Sequence, residues 1–146
     1  YFLDSPGASL QVLHPTSVGI DSTRHGSVDN ANSLVLLLES HNNRVLLTGD
    51  LEASGLEAVL ARPIDRCDLI LAPHHGSPKS RPEDVMRWCR PRWTIMSSGL
   101  NSPDARVRKA YTSGGQTLLH TGRQGAIEAT IGPAGVRIET QHQKNP

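Results

Sequence analysis

Two apolar runs, each stopped by a residue type that ligates metals, constrain this chain more than any other feature. Val45, Leu46 and Leu47 lead through Thr48 and Gly49 to Asp50, while Leu69, Ile70 and Leu71 lead through Ala72 and Pro73 to His74 and His75. Short apolar runs bounded in this way read as buried strands. Their endings place a carboxylate and two imidazoles in loops at strand carboxyl ends, where open α/β sheets keep their chemistry. Carboxylate and imidazole together form the donor set of a hydrolytic divalent-metal site. The expectation is geometric: Asp50 and one of His74 or His75 come close enough to share an ion, directly or through one water. Neighbours in an extended loop point to opposite sides, so the other histidine orients the ligand or meets substrate.

Plainer roles stand beside these. Asp50 alone reads equally as the N-cap of the next helix, although the helical pattern starts near Ser54, which is better placed to cap. The two histidines on their own are loop residues hydrogen-bonding to carbonyls. Gly76 permits close backbone approach, and Ser77 can donate to a bound anion.

The rest of the chain alternates strands and helices without an internal repeat. Ser9–Leu13 reads as a strand and 16–32 as a long polar loop. Ser33–Leu38 and Arg44–Thr48 form a hairpin across Ser40-His41-Asn42-Asn43. Helical spacing of Leu56, Val59 and Leu60 predicts a helix over 53–61, ended by Pro63. Pro82, Glu83 and Asp84 open a second helix that stops before Pro91. Trp93–Ser97 is a strand, 103–111 a helix stopped by Gly114-Gly115, and 116–119, 126–131 and 136–140 are closing strands. This is an α/β (α+β layered) domain over 1–140, with a polar tail over 141–146.

At 146 residues the chain is one domain's length, enough to bury a core. With 3% aromatic residues that core is aliphatic. A net charge of +1 excludes wholesale nucleic-acid attraction and acidic disorder, so any basic function is local. No apolar run reaches the length of a membrane span. Cys67 and Cys89 are too few for a disulfide framework or zinc ribbon and read as buried thiols. The most basic stretch holds Lys79, Arg81, Arg87, Arg90 and Arg92 with Trp88 and Trp93 between them. It is either a solvated helix face with buried tryptophans or a phosphate track with a stacking platform.

The other histidines carry less. His14 ends a strand before Pro15 and reads as structural; His25 and His41 sit in solvated loops, and His142 in the tail. His120 ends a strand and either faces the cleft or packs. Asn30, Asn32 and Ser33 organise the turn before the hairpin, line the cleft, or do both.

In order and spacing, Asn30-Ala31-Asn32-Ser33, Thr48-Gly49-Asp50-Leu51-Glu52, Pro73-His74-His75-Gly76-Ser77, the strand ending at Ser97-Ser98-Gly99, and Thr121 with Gly125-Ala126-Ile127 resemble the second half of the metallo-β-lactamase-like domain of ComEC/Rec2 DNA-uptake proteins. The resemblance spans residues 10–138. It implies a partial αββα sandwich, a mixed sheet with helices packed on it. It also implies a divalent metal, zinc or manganese, held by Asp50, His74 and His75, with Asp50 able to bridge two ions. Asn30, Asn32, Ser77, Lys79 and Ser102 are then candidates for substrate contact. Single-stranded DNA and the membrane-embedded remainder of a bacterial parent chain are the implied partners, and the chain itself a soluble domain.

Two departures from the pattern matter. No H-x-x-x-D-H motif occurs, so the chain is expected to be a fragment with an incomplete ligand set, weak metal affinity and no nuclease activity. Ser102 stands where the family tends to have a histidine. The leading expectation is metal-dependent phosphodiester hydrolysis in the intact domain. A non-catalytic DNA-contacting or structural module is the alternative, and a small-molecule hydrolase of the same superfold is a third.

Overall fold

A computed structural model describes residues 2–5, 7–16, 28–100 and 103–141. Seven strands form one mixed sheet in simple sequence order: β1 (Phe2–Ser5), β2 (Ala8–His14), β3 (Val35–Ser40), β4 (Asn43–Leu47), β5 (Leu69–Leu71), β6 (Trp93–Met96) and β7 (Thr117–His120). Strands β1 to β4 pair antiparallel, whereas β4 to β7 pair parallel. The change of sense at β4 follows from the connections. A two-residue turn at His41-Asn42, both at positive φ, matches the twist that closes a hairpin, while every later strand is reached through a helix.

Those helices are α2 (Ala53–Leu60), α3 (Pro82–Cys89) and α4 (Ala105–Thr112). The short α1 (Val28–Ala31) precedes β3, and α5 (Thr121–Gln124) follows β7. Alternation along each strand sorts the core into two faces. Leu46 and Ile70 pack with Leu56, Val59, Val85 and Cys89 beneath α2 and α3. Met96 and Leu118 join Val107 and Tyr111 of α4. On the opposite face Val45, Leu69, Ile95 and Leu119 meet Ile127, Ile131 and Ile138 of a separate hairpin, β8 (Ile127–Gly132) with β9 (Gly135–Thr140). The α/β layered expectation holds: a mixed sheet with helices on it.

The differences are local. Helix α2 is preceded by Glu52, whose side chain makes no capping bond, so neither Asp50 nor Ser54 caps it. Asp104 caps α4, accepting from the backbone N–H of Arg106 at 2.7 Å, so this helix starts two residues after Pro103. Strand β1 and helix α5 have no periodic signal in the sequence. Helix α1 occupies the end of the expected polar loop; positions 17–27, with His25, lie outside the described residues, as do Ser102 and His142. Among the described residues no helix is long and apolar enough to cross a membrane.

Candidate functional site

The carboxyl ends of β4 and β5 lie side by side because the two strands are parallel neighbours, with Leu46 opposite Ile70. Two bonds lock the ends together. The Thr48 hydroxyl donates to the Leu71 carbonyl at 2.8 Å, and the His74 backbone N–H donates to the Gly49 carbonyl at 3.0 Å. Asp50, at the end of this segment, is half-buried, and His75 is exposed.

Between Pro73 and Gly76 the chain makes a tight 3-10-like turn in which His74 (φ 45°) and His75 (φ 56°) are both left-handed. Non-glycine residues in that region cost on the order of 1–2 kcal/mol each, and such strain concentrates at functional loops. The turn sends the rings to different carboxylates. His75 Nε2 lies 3.5 Å from Asp50 Oδ1, and His74 Nδ1 lies 2.6 Å from Oε1 of Glu52. The adjacency expected from the sequence is therefore met by His75.

The second ring nitrogen of each histidine follows from its partner. His75 Nδ1 is 2.7 Å from the Ser97 carbonyl, which only accepts, so Nδ1 carries a proton and Nε2 is the nitrogen beside Asp50. His74 Nδ1 donates to Glu52, so Nε2 is the ring nitrogen that this carboxylate does not engage. A carboxylate or carbonyl on Nδ1 is the arrangement that orients a histidine for a cation at Nε2.

Glu52 was not among the residues singled out from the sequence. It is 4% exposed, and the Ser77 hydroxyl donates to its Oε1 at 2.8 Å. Burial pushes the Glu52 carboxyl upward, but hydrogen bonds from Ser77 and His74, the charge of His74 and a bond from Asn30 outweigh it, leaving the group below the usual glutamate range. Asn30 is also tied in through its carbonyl, which accepts from the Glu52 N–H at 3.3 Å. Its amide nitrogen lies 3.3 Å from His74 Nδ1. The only hint in the sequence was a second acid two residues after Asp50, and an acid near a helix start is usually there for the dipole.

The remaining candidates separate. The Ser77 hydroxyl donates to Glu52. The Asn32 Oδ1 is buried without a partner among the described residues. Lys79 is exposed on the following turn. In the basic stretch Arg81 and Arg87 both pair with Asp84, and Arg92 lies over the Trp93 ring at 5.3 Å. His14 is structural as read, its Nε2 donating to the Ala31 carbonyl at 2.8 Å. His120 is buried and its Nε2 is 2.5 Å from Ser98 Oγ.

Among the described residues no three His, Cys, Asp or Glu side chains converge on one point. The donors at this edge therefore fit a divalent ion by type and fall short of it in number.

No protein-family model matches the chain. Over 97 residues it is 39% identical to recombination protein 2 of Haemophilus influenzae, covering 66% of this chain and 11% of that protein. It is 32% identical over 104 residues to ComE operon protein 3 of Bacillus subtilis, covering 68% and 13%. The chain is a relative of the ComEC/Rec2 competence proteins. A third match, 27% over 139 residues to competence protein ComA of Neisseria gonorrhoeae, extends across 91% of this chain and 19% of that one. The chain thus corresponds to between about a tenth and a fifth of these longer relatives.

Proposed function

We propose that this chain is a DNA-handling part of a ComEC/Rec2-type uptake protein, the second half of a metallo-β-lactamase-like domain, with single-stranded DNA and the membrane-embedded remainder of its parent as partners. We further propose that the β4–β5 edge contributes to divalent-metal phosphodiester hydrolysis in the intact domain. One observation carries this second step: both histidines have Nδ1 committed to an acceptor, and Nε2 of His75 faces Asp50 Oδ1 at 3.5 Å. A carboxylate and an imidazole nitrogen at that separation are donor types that a divalent ion takes.

Zinc or manganese suits the donor types, and either, when bound, lowers the pKa of a coordinated water toward neutrality. The chain's own residues divide the remaining work. Asp50 and His75 offer the ligand atoms, and Glu52 with Ser77 holds His74 in one ring orientation. Asn30 closes the buried end of the network. No reaction step is routed through the ion, because two adjacent donors do not make a working ligand set.

That shortfall is also the observation favouring a second reading, a non-catalytic DNA-contacting module. Cleavage of single-stranded DNA by the full-length parent, with zinc or manganese, separates the two. Metal-dependent turnover lost on Asp50→Ala supports hydrolysis. DNA binding without turnover supports the second reading, and neither binding nor turnover overturns both.

A further inference from the structure

His75 is held by a backbone carbonyl, so whatever fixes that carbonyl fixes the ring. Its Nδ1 lies 2.7 Å from the Ser97 carbonyl, and Ser97 is exposed just after β6. Exposed connecting segments are the mobile parts of a fold unless something ties them down.

The tie is the start of α5. Parallel pairing of β6 with β7 sets Met96 opposite His120, so the two strands end level. The Thr121 hydroxyl accepts from the Ser98 backbone N–H at 3.0 Å. It also lies 3.0 Å from the Ser98 carbonyl and 3.5 Å from the Met96 carbonyl, either of which can take its one proton. The Ser98 N–H belongs to the same peptide unit as the Ser97 carbonyl, and a peptide unit is planar and stiff. A bond to one end of that plane therefore aims the other end, and aligned bonds through one peptide strengthen each other. Two further contacts keep the loop in place. Ser98 Oγ is 2.5 Å from His120 Nε2, and a Cβ on Gly122 would come 2.1 Å from the Gly99 carbonyl oxygen. Only glycine allows so close an approach.

We propose that Thr121 is the positioning residue for His75. Its hydroxyl fixes the Ser97–Ser98 peptide plane, whose carbonyl holds the ring at Nδ1 and so turns Nε2 toward Asp50. Glu52 does the equivalent for His74. Neighbouring histidines are thus set by separate devices, one a buried carboxylate and the other a peptide plane held from α5. The purpose of this hold rests on the metal reading of the β4–β5 edge; the hold itself does not.

Nitrogen NMR of the histidine rings tests it in the 146-residue chain, above the ordinary histidine pKa of about 6.5 so that neutral rings are compared. Wild-type His75 should keep its proton on Nδ1. Thr121→Val keeps the shape, loses the hydroxyl and should shift His75 toward the Nε2-protonated tautomer. Thr121→Ser keeps the hydroxyl and should restore the wild-type signals. His74 is the internal control, because its hold comes from Glu52: its signals should stay in place, whereas general loosening would move both rings. The backbone amide spectrum checks folding, and Thr121→Ala serves if Thr121→Val does not fold. Zinc affinity should fall about tenfold in Thr121→Val, as loss of an orienting partner does. A wild type that binds no zinc, while His75 answers to the two substitutions as described, overturns the metal reading and upholds the positioning. The positioning is overturned by an Nε2-protonated His75 in the wild type, by His75 signals that Thr121→Val leaves unmoved, or by a shift that Thr121→Ser does not reverse.

Discussion

His74 Nδ1 and Glu52 Oε1 lie 2.6 Å apart, the carboxylate 5% and the imidazole 32% exposed as side chains. A buried acid thus holds a partly exposed ring from behind. Ser77 and Asn30 complete that hold on Glu52, so four residues from three separate segments fix which nitrogen His74 presents to the cleft.

Replacing this acid should cost stability in a pH-dependent way. Glu52→Gln keeps the shape but removes the charge that its donors were built around, and should destabilise the fold by about 1–3 kcal/mol at pH 7. The folded carboxyl lies below its usual value, so the unfolded chain takes up the proton first as pH falls. The stabilisation is therefore fully present above the ordinary glutamate pKa of about 4.3 and is lost as pH drops through the folded value. Urea denaturation of both proteins from pH 7 down to pH 3 should show the two curves converging at the acid end. A gap that widens there contradicts the assignment.

The legible parts of this fold were those written in local pattern. The β4 and β5 ends could be read because an apolar run stopping at Asp50 or at His74 is a local event, and the parallel pairing then had to bring them together. The hairpin at His41-Asn42 and the start of α3 at Pro82 were equally local. Glu52 was hidden because its role depends on Ser77, 25 residues away. The Ser98–His120 contact spans 22 residues and involves a strand end whose only local mark was one histidine. In the basic stretch Asp84, three residues from both Arg81 and Arg87, pairs with both guanidiniums, a local arrangement the sequence spacing already allowed.

Gly76 and Gly115 offer a matched comparison. Both have φ of +81°, but a Cβ on Gly76 would sit 2.3 Å from Met96 Cε, whereas one on Gly115 meets nothing within 4 Å. Gly115→Ala should cost only the left-handed strain, about 1 kcal/mol. Gly76→Ala should cost that plus about 1–3 kcal/mol for overpacking beneath the histidine turn. Thermal or urea unfolding measures the difference, and equal losses would mean that the Met96 contact yields freely.

Cys67 and Cys89 are both fully buried, and the Cys67 N–H donates to the Cys89 carbonyl at 2.9 Å. The Cys89 thiol beside it, followed by burial, pushes the Cys67 thiol far up from its ordinary range. Thiolate is the reactive form, so neither cysteine should react with a disulfide reagent in the folded protein at neutral pH. Labelling should appear only with global unfolding, rising with urea along the same transition as the loss of secondary structure. Rapid labelling in native buffer would show that the helix α3 side of the core opens independently.

Metal affinity tests the β4–β5 edge most directly. Asp50 and His75 are the donors that face one another, and structural sites use four ligands, so zinc should bind this chain weakly and lose its binding on His75→Ala. Glu52→Gln separates two roles for His74. If His74 Nε2 also reaches the ion, removing the charge behind its ring should cost about 10–100-fold in affinity, as loss of an orienting carboxylate does. If His74 serves only the substrate side, zinc affinity should stay within error while the stability loss described above remains. Calorimetric zinc titration of the wild type and both variants reads all three outcomes. Tight binding that survives His75→Ala would show that the ligands lie elsewhere in the chain.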